Sequence, residues 1–103
     1  MGWRRVKRTR TTIPSYRVEL THPARKELGQ LPPKDRVRIV AAIDLLQENP
    51  RPPKCRVVQA APKGTCRVRV GDYRIVYVIQ DEVLLITVVR IVRGNERTYK
   101  GIG

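Results

Sequence analysis

The stretch from Cys66 to Tyr99 constrains the fold most, because it reads as two consecutive β-hairpins. Cys66-Arg67-Val68-Arg69-Val70 alternates between apolar and basic side chains, the pattern of a half-buried strand. Gly71-Asp72 follows, a pair suited to the positive-φ backbone of a two-residue hairpin loop. The next strand is Tyr73–Gln80. With this loop, Val70 faces Tyr73, Arg69 faces Arg74 and Arg67 faces Val76. Asp81-Glu82 turns the chain into Val83–Arg93, and an even-length loop there preserves facing parity. Gln80, Val78, Val76 and Arg74 then share a face with Val83, Leu85, Thr87, Val89, Ile91 and Arg93. Arg67, Arg69, Arg74 and Arg93 are therefore expected to converge. The other face is expected to be core: Cys66, Val68, Val70, Tyr73, Ile75, Tyr77, Ile79, Leu84, Ile86, Val88 and Val92.

Like charges directly opposite one another destabilise a sheet. Arg69 set against Arg74 is a repulsive pair that an anion between them relieves. A single arginine at a sheet end is an ordinary surface residue, but four on one face point to an anion site. Arginine suits phosphate because its planar fork donates paired hydrogen bonds and stays charged.

The chain has 103 residues, enough for one core. Its net charge of +13 favours polyanionic partners, nucleic acid or an acidic protein over an anionic membrane. No apolar run is long enough to span a bilayer and the N-terminus lacks a secretory apolar segment, so a cytoplasmic protein is expected. Cys55 and Cys66 have no metal-ligand spacing, and Cys66 falls in the core-facing set as a buried reduced thiol. One histidine, His22, and one serine assemble no nucleophilic triad. No cluster has metal-ligand spacing and no glycine-rich phosphate loop is present, so neither metal nor cofactor is expected. Asp72, Asp81 and Glu82 read as turn formers. Any catalysis falls to arginine electrostatics, with tyrosine in support.

Residues 1–14 form an expected basic, flexible leader with Arg4, Arg5, Lys7, Arg8 and Arg10 and no acid. Residues 15–103 are expected to form a single domain. Tyr16–Leu20 alternates as a first strand, and Thr21 is a good N-cap for a short helix entered through His22-Pro23. Pro32-Pro33 separates that helix from a second, running to Gln47 or Glu48, whose apolar stripe is expected at Val37, Val40, Ala41, Ile43 and Leu45. Arg51-Pro52-Pro53-Lys54 reads as a stiff linker and Arg56–Ala60 as a further strand. The expected fold is α+β: an N-terminal strand, a two-helix hairpin, then an antiparallel sheet of three to four strands packed on the helices.

This order, with the run Arg67-Val68-Arg69-Val70-Gly71-Asp72-Tyr73-Arg74-Ile75-Val76-Tyr77, resembles the RelE/ParE superfamily of bacterial and archaeal toxins. The recurring pattern is a basic or polar strand, then Gly-Asp-Tyr-Arg, two apolar residues and Tyr. A late arginine precedes a C-terminal tyrosine, as Arg93 and Tyr99 do here. The resemblance covers about residues 16–100. It implies the toxin of a type II toxin–antitoxin system. RelE-like members cleave messenger RNA in the ribosomal A site, whereas ParE-like members poison DNA gyrase.

For the RelE-like reading the resemblance implies that Arg67, Arg69, Arg74 and Arg93 hold the scissile phosphate and that Tyr99 stacks on a base. A ribose 2′-hydroxyl attacks the adjacent phosphate, and oriented guanidiniums stabilise the charge that develops. Arg67 and Arg69 stand where relatives often carry lysine, so the proton acceptor is left open, because arginine keeps its proton. Arg93 is a candidate for stabilising or protonating the leaving group. The implied partners are the ribosome, messenger RNA and an acidic RelB-like antitoxin, in a toxin–antitoxin hetero-oligomer. Two alternatives stand beside this one: a ParE-like gyrase inhibitor, which needs no phosphate site, and a non-catalytic nucleic-acid-binding module.

Overall fold

A computed structural model describes residues 15–94, so the expected leader and Tyr99 lie outside the described residues. The elements are β1 (Arg17–Leu20), α1 (His22–Gly29), α2 (Pro33–Glu48), β2 (Arg56–Val57), β3 (Thr65–Val70), β4 (Tyr73–Gln80), a short 3-10 turn (Asp81–Val83) and β5 (Leu85–Arg93). They form one five-stranded sheet in the order β1-β5-β4-β3-β2, with the two helices against one face. Strands β2 to β5 pair antiparallel, and β1 adds a parallel strand beside β5. This is the expected α+β architecture. No helix among the described residues is long and apolar enough to cross a membrane.

Local chemistry explains the helix boundaries. The Thr21 hydroxyl accepts from the Ala24 N–H at 3.2 Å, and Pro23 sits in the first turn of α1, where its missing N–H costs nothing. Helix α2 starts at Pro33, with Asp35 complementing the positive end of its dipole. Its buried residues are Ile39, Ile43 and Leu46, one face at helical spacing. The expected stripe is corrected here: Ile43 is buried, but Val37, Val40, Ala41 and Leu45 are exposed. Apolar residues surround most of this helix, so periodicity alone permits more than one inward face.

The β3–β4 hairpin has the expected register, with Val70 opposite Tyr73, Arg69 opposite Arg74 and Arg67 opposite Val76. Gly71 adopts φ +61°, the left-handed region that favours glycine, and the Arg38 guanidinium lies over it, 2.7 Å from where a Cβ would stand. In the β4–β5 hairpin the expected parity holds only near the turn. Tyr77 pairs with Val88 but Val76 pairs with Arg90, leaving Val89 as the extra residue of a β-bulge. Beyond it every side chain of β5 changes face. Ile91 therefore enters the core opposite Ile75, and Val92 moves to the other face opposite Arg74.

The bulge lies where β1 stops. Pairing of β1 with β5 ends at Leu20 and Val88, and α1 supplies the next partners of the β5 edge. Thr21 donates through its N–H to the Val88 carbonyl (3.0 Å) and through its hydroxyl to the Val89 carbonyl (2.8 Å). Glu27 accepts from the Ile91 N–H at 2.8 Å and binds Arg90 through Nε and Nη2 at 2.8 and 2.6 Å. Helical side chains thus take over a strand edge, and the extra residue fits the ladder to them.

The core joins Ala24, Ile39, Ile43 and Leu46 to Val68, Ile75, Tyr77, Ile86, Val88 and Ile91. Tyr77 is fully buried and donates to the Pro50 carbonyl at 2.7 Å; burial pushes its hydroxyl pKa far up. Cys66 is buried with its thiol pKa raised by desolvation, and both cysteines are free. Asp81 does more than form a turn. It accepts from the Tyr16 hydroxyl at 2.6 Å and from both Nη atoms of Arg51 at 3.3 and 2.8 Å. The expected strand over Arg56–Ala60 is only Arg56–Val57, because Ala61 turns back onto the Val58 carbonyl.

Candidate functional site

On the face away from the helices, β2, β3 and β4 bring basic side chains together in pairs. Arg56 stands opposite Arg67 across β2–β3, and Arg69 opposite Arg74 across β3–β4. Both are like-charge pairs at directly opposing positions, where Cβ atoms lie about 4.5–5.5 Å apart. With Lys54 and Gly71 these residues line an open cleft of about 450 Å³, and among the described residues no carboxylate lines it. Arg69 Nε donates to the Gly71 carbonyl at 3.3 Å, which draws its guanidinium toward the turn. Gly94, just beyond β5, donates its N–H to the Asp72 carbonyl, and a Cβ there would collide with the Arg74 guanidinium. The turn, the end of β5 and Arg74 are therefore fitted to one another.

Arg67, Arg69 and Arg74 are brought together as expected. Arg93 is not, and the expectation that it shares their face is corrected. The bulge places it opposite Tyr73, on the helix side of the sheet. There its guanidinium stacks 5.3 Å from the Tyr73 ring centroid, and Nη1 donates to the Tyr73 hydroxyl at 3.2 Å. That hydroxyl donates in turn to Asp35 of α2 at 3.0 Å. Burial, reinforced by the Asp35 hydrogen bond, raises the Tyr73 pKa. Arg93 thus ties the end of β5 to α2. Tyr99 lies outside the described residues.

Lys54 and Arg56 belong to the cleft and escaped the sequence reading, which placed Lys54 in a linker and left Arg56 unpaired. The signal was available in one further hairpin: pairing Val57 with Cys66 sets Arg56 against Arg67. Among the described residues the lining set has five cations, Lys54, Arg56, Arg67, Arg69 and Arg74. Such a set suits a phosphodiester, whose oxygens accept from several guanidinium forks at once. Among the described residues no group of three or more His, Cys, Asp or Glu side chains is placed to hold a metal ion.

Comparison with known proteins identifies the family. Residues 18–98 match the family model described as the ParE toxin of the type II toxin–antitoxin system parDE. The toxin–antitoxin complex RelBE2 from Mycobacterium tuberculosis includes a chain of 30% identity and TM-score 0.68, with 77% of this chain and 98% of that one covered. The archaeal RelE–RelB complex of Pyrococcus horikoshii matches at 24% identity and TM-score 0.70, over 79% of this chain and 97% of its counterpart. The intact toxin–antitoxin complex RelBE of Escherichia coli matches at 20% identity and TM-score 0.69, over 79% and 99%. At these last two identities the likeness is one of fold. No curated protein sequence matches. The family match spans nearly all of the described domain, and the chain belongs to the ParE toxin family of type II toxin–antitoxin systems, within the RelE/ParE superfamily.

Proposed function

We propose that this toxin is a ribosome-dependent messenger RNA endoribonuclease that inhibits translation in the cytoplasm. The observation that carries the reading is the cleft lined, among the described residues, by five cations and built on two opposed arginine pairs. The 2′-hydroxyl attacks the adjacent phosphorus, the bond to the 5′-oxygen breaks, that oxygen takes a proton from water, and a cyclic phosphate and a 5′-hydroxyl result. Arg67, Arg69 and Arg74 stabilise the charge that grows on the non-bridging oxygens. Lys54 and Arg56 hold the flanking backbone, and Tyr99 stacks on a base. Arg93 acts as a positioning residue through Tyr73 rather than on the leaving group. The attacking proton leaves to a group outside the arginine set, which ties the rate to the ribosome and to substrate placement.

An acidic RelB-like antitoxin is the proposed partner, consistent with the antitoxin complexes in which the similar toxins were solved and with the +13 charge, which speeds capture of an acidic segment. The ParE family match favours a second reading, inhibition of DNA gyrase, for which the cleft need not act chemically. Purified toxin added to translating ribosomes and, separately, to gyrase on plasmid DNA tests the choice. Transcript cuts that require ribosomes support the first reading. Blocked supercoiling with intact transcripts replaces it with the second.

A further inference from the structure

Gly71, at the tip of the β3–β4 hairpin, is approached from both layers of the fold. On the sheet side its carbonyl accepts from Arg69 Nε at 3.3 Å, and the residue itself lines the cleft. From the helix layer the Arg38 guanidinium of α2 lies over it, with Nη2 2.7 Å and Cζ 3.2 Å from where a Cβ would stand. A cation carried by a helix therefore reaches the rim of a cleft built by strands. Little holds that charge within the chain. The Arg38 side chain is 56% exposed, and among the described residues its one ion pair is a long contact from Nη1 to Asp35 at 3.9 Å. Asp35 is engaged elsewhere, because its other carboxylate oxygen accepts from the Tyr73 hydroxyl at 3.0 Å. A side chain at residue 71 would take the space that the guanidinium fills, so Arg38 owes its place beside the cleft to glycine.

We propose that Arg38 is a further phosphate-binding residue of the cleft, gripping the RNA backbone where it passes over the hairpin tip. The inference rests on the reading of the cleft as an RNA site. Arg69 and Arg38 meet the same residue from its two sides, so a strand that leaves the Arg69–Arg74 pair across Gly71 meets Arg38 as its next cation. A guanidinium on a long exposed stem can swing to meet a phosphate and donate to two of its oxygens. The contact is to backbone and carries no base preference. Arg38 touches no reacting atom in this arrangement. Its binding is equal in the ground and transition states, and it sets affinity rather than turnover.

A short single-stranded RNA with 2′-O-methyl groups, which the proposed chemistry cannot cut, is the probe; its binding to the full chain is measured over a range of salt. R38Q should weaken binding roughly three- to tenfold at low salt and lower the slope of log affinity against log salt by about 0.7, the share of one phosphate contact on a single strand. R25Q removes the same charge from an exposed site on α1 outside the cleft lining, and should leave the slope unchanged. G71N supplies a residue tolerated at positive φ whose Cβ displaces Arg38. It should weaken binding as R38Q does, and the double variant R38Q/G71N should be no weaker than either. On ribosomes R38Q should raise KM and leave kcat unchanged. The proposal is overturned by R38Q binding like the wild type, by an equal loss in R25Q, by the full G71N loss recurring on top of R38Q, or by a wild type without affinity for the probe. A wild type that binds the probe through Arg38 but cuts no transcript keeps the contact and removes the endoribonuclease reading.

Discussion

The β3–β4 and β4–β5 hairpins are made of the same alternating chemistry, yet only the first keeps simple parity along its length. In the first, register is set by two loop residues, and all six pairs follow from Gly71-Asp72. In the second, the ladder slips at Val89, where β5 receives its edge partners from Thr21 and Glu27, 68 and 64 residues distant in sequence. A register set by a local turn can be read from the strand itself. One set by a neighbouring helix cannot. The chemical result is a division of labour, with Arg74 over the cleft and Arg93 beneath the sheet.

That division is open to attack by substitution, and the largest expected effect is on rate. Arg74→Ala should lower ribosome-dependent cleavage about 10²–10³-fold, the usual cost of removing one donor to a developing oxyanion. Arg93→Ala should cause a much smaller loss of rate and show mainly as lost stability. Primer extension on ribosome-bound message measures both, and equal falls would erase the functional distinction between the faces.

The bulge can be probed by removing what holds it. Glu27→Ala strips the acceptor from the Ile91 N–H and from Arg90, and should cost about 1–3 kcal/mol in urea unfolding. Thr21→Ala should cost about 1 kcal/mol through loss of the α1 cap. If both leave stability unchanged, α1 does not set the register of β5.

The smallest effect is expected at the β4–β5 turn. Arg51, then Tyr16, holds the Asp81 carboxyl below its ordinary range. Its contribution to stability is present above the unfolded value, about 3.9, and is lost as pH falls through the depressed folded value. Arg51→Ala should therefore flatten the acid limb of a urea-midpoint titration as pH falls below the unfolded value. The change is modest because the pair is exposed.

Much of the fold was legible because its signals are local: the Thr21 cap, the Pro32-Pro33 break and the Gly71-Asp72 turn. The three cleft arginines of the β3–β4 hairpin followed from that turn. Three features were hidden for physical reasons. The inward face of α2 was ambiguous because the helix is apolar around most of its girth. Arg56 joined the cleft through a strand of only two residues, reached past a proline-rich approach. Arg93 changed sides because of contacts made by α1.

The parallel pairing of β1 with β5 has a consequence in time. Arg17 lies beside Leu85, so the first strand of the described fold waits for the last before it has a neighbour. Closing so long a loop is slow, and folds dominated by such distant contacts form late and cooperatively. A nascent chain that lacks β5 has lost the strand between β1 and β4, along with the core residues Ile86, Val88 and Ile91. The protein is therefore built to become competent only once β5 has been synthesised, and a copy terminated before that strand should be inert.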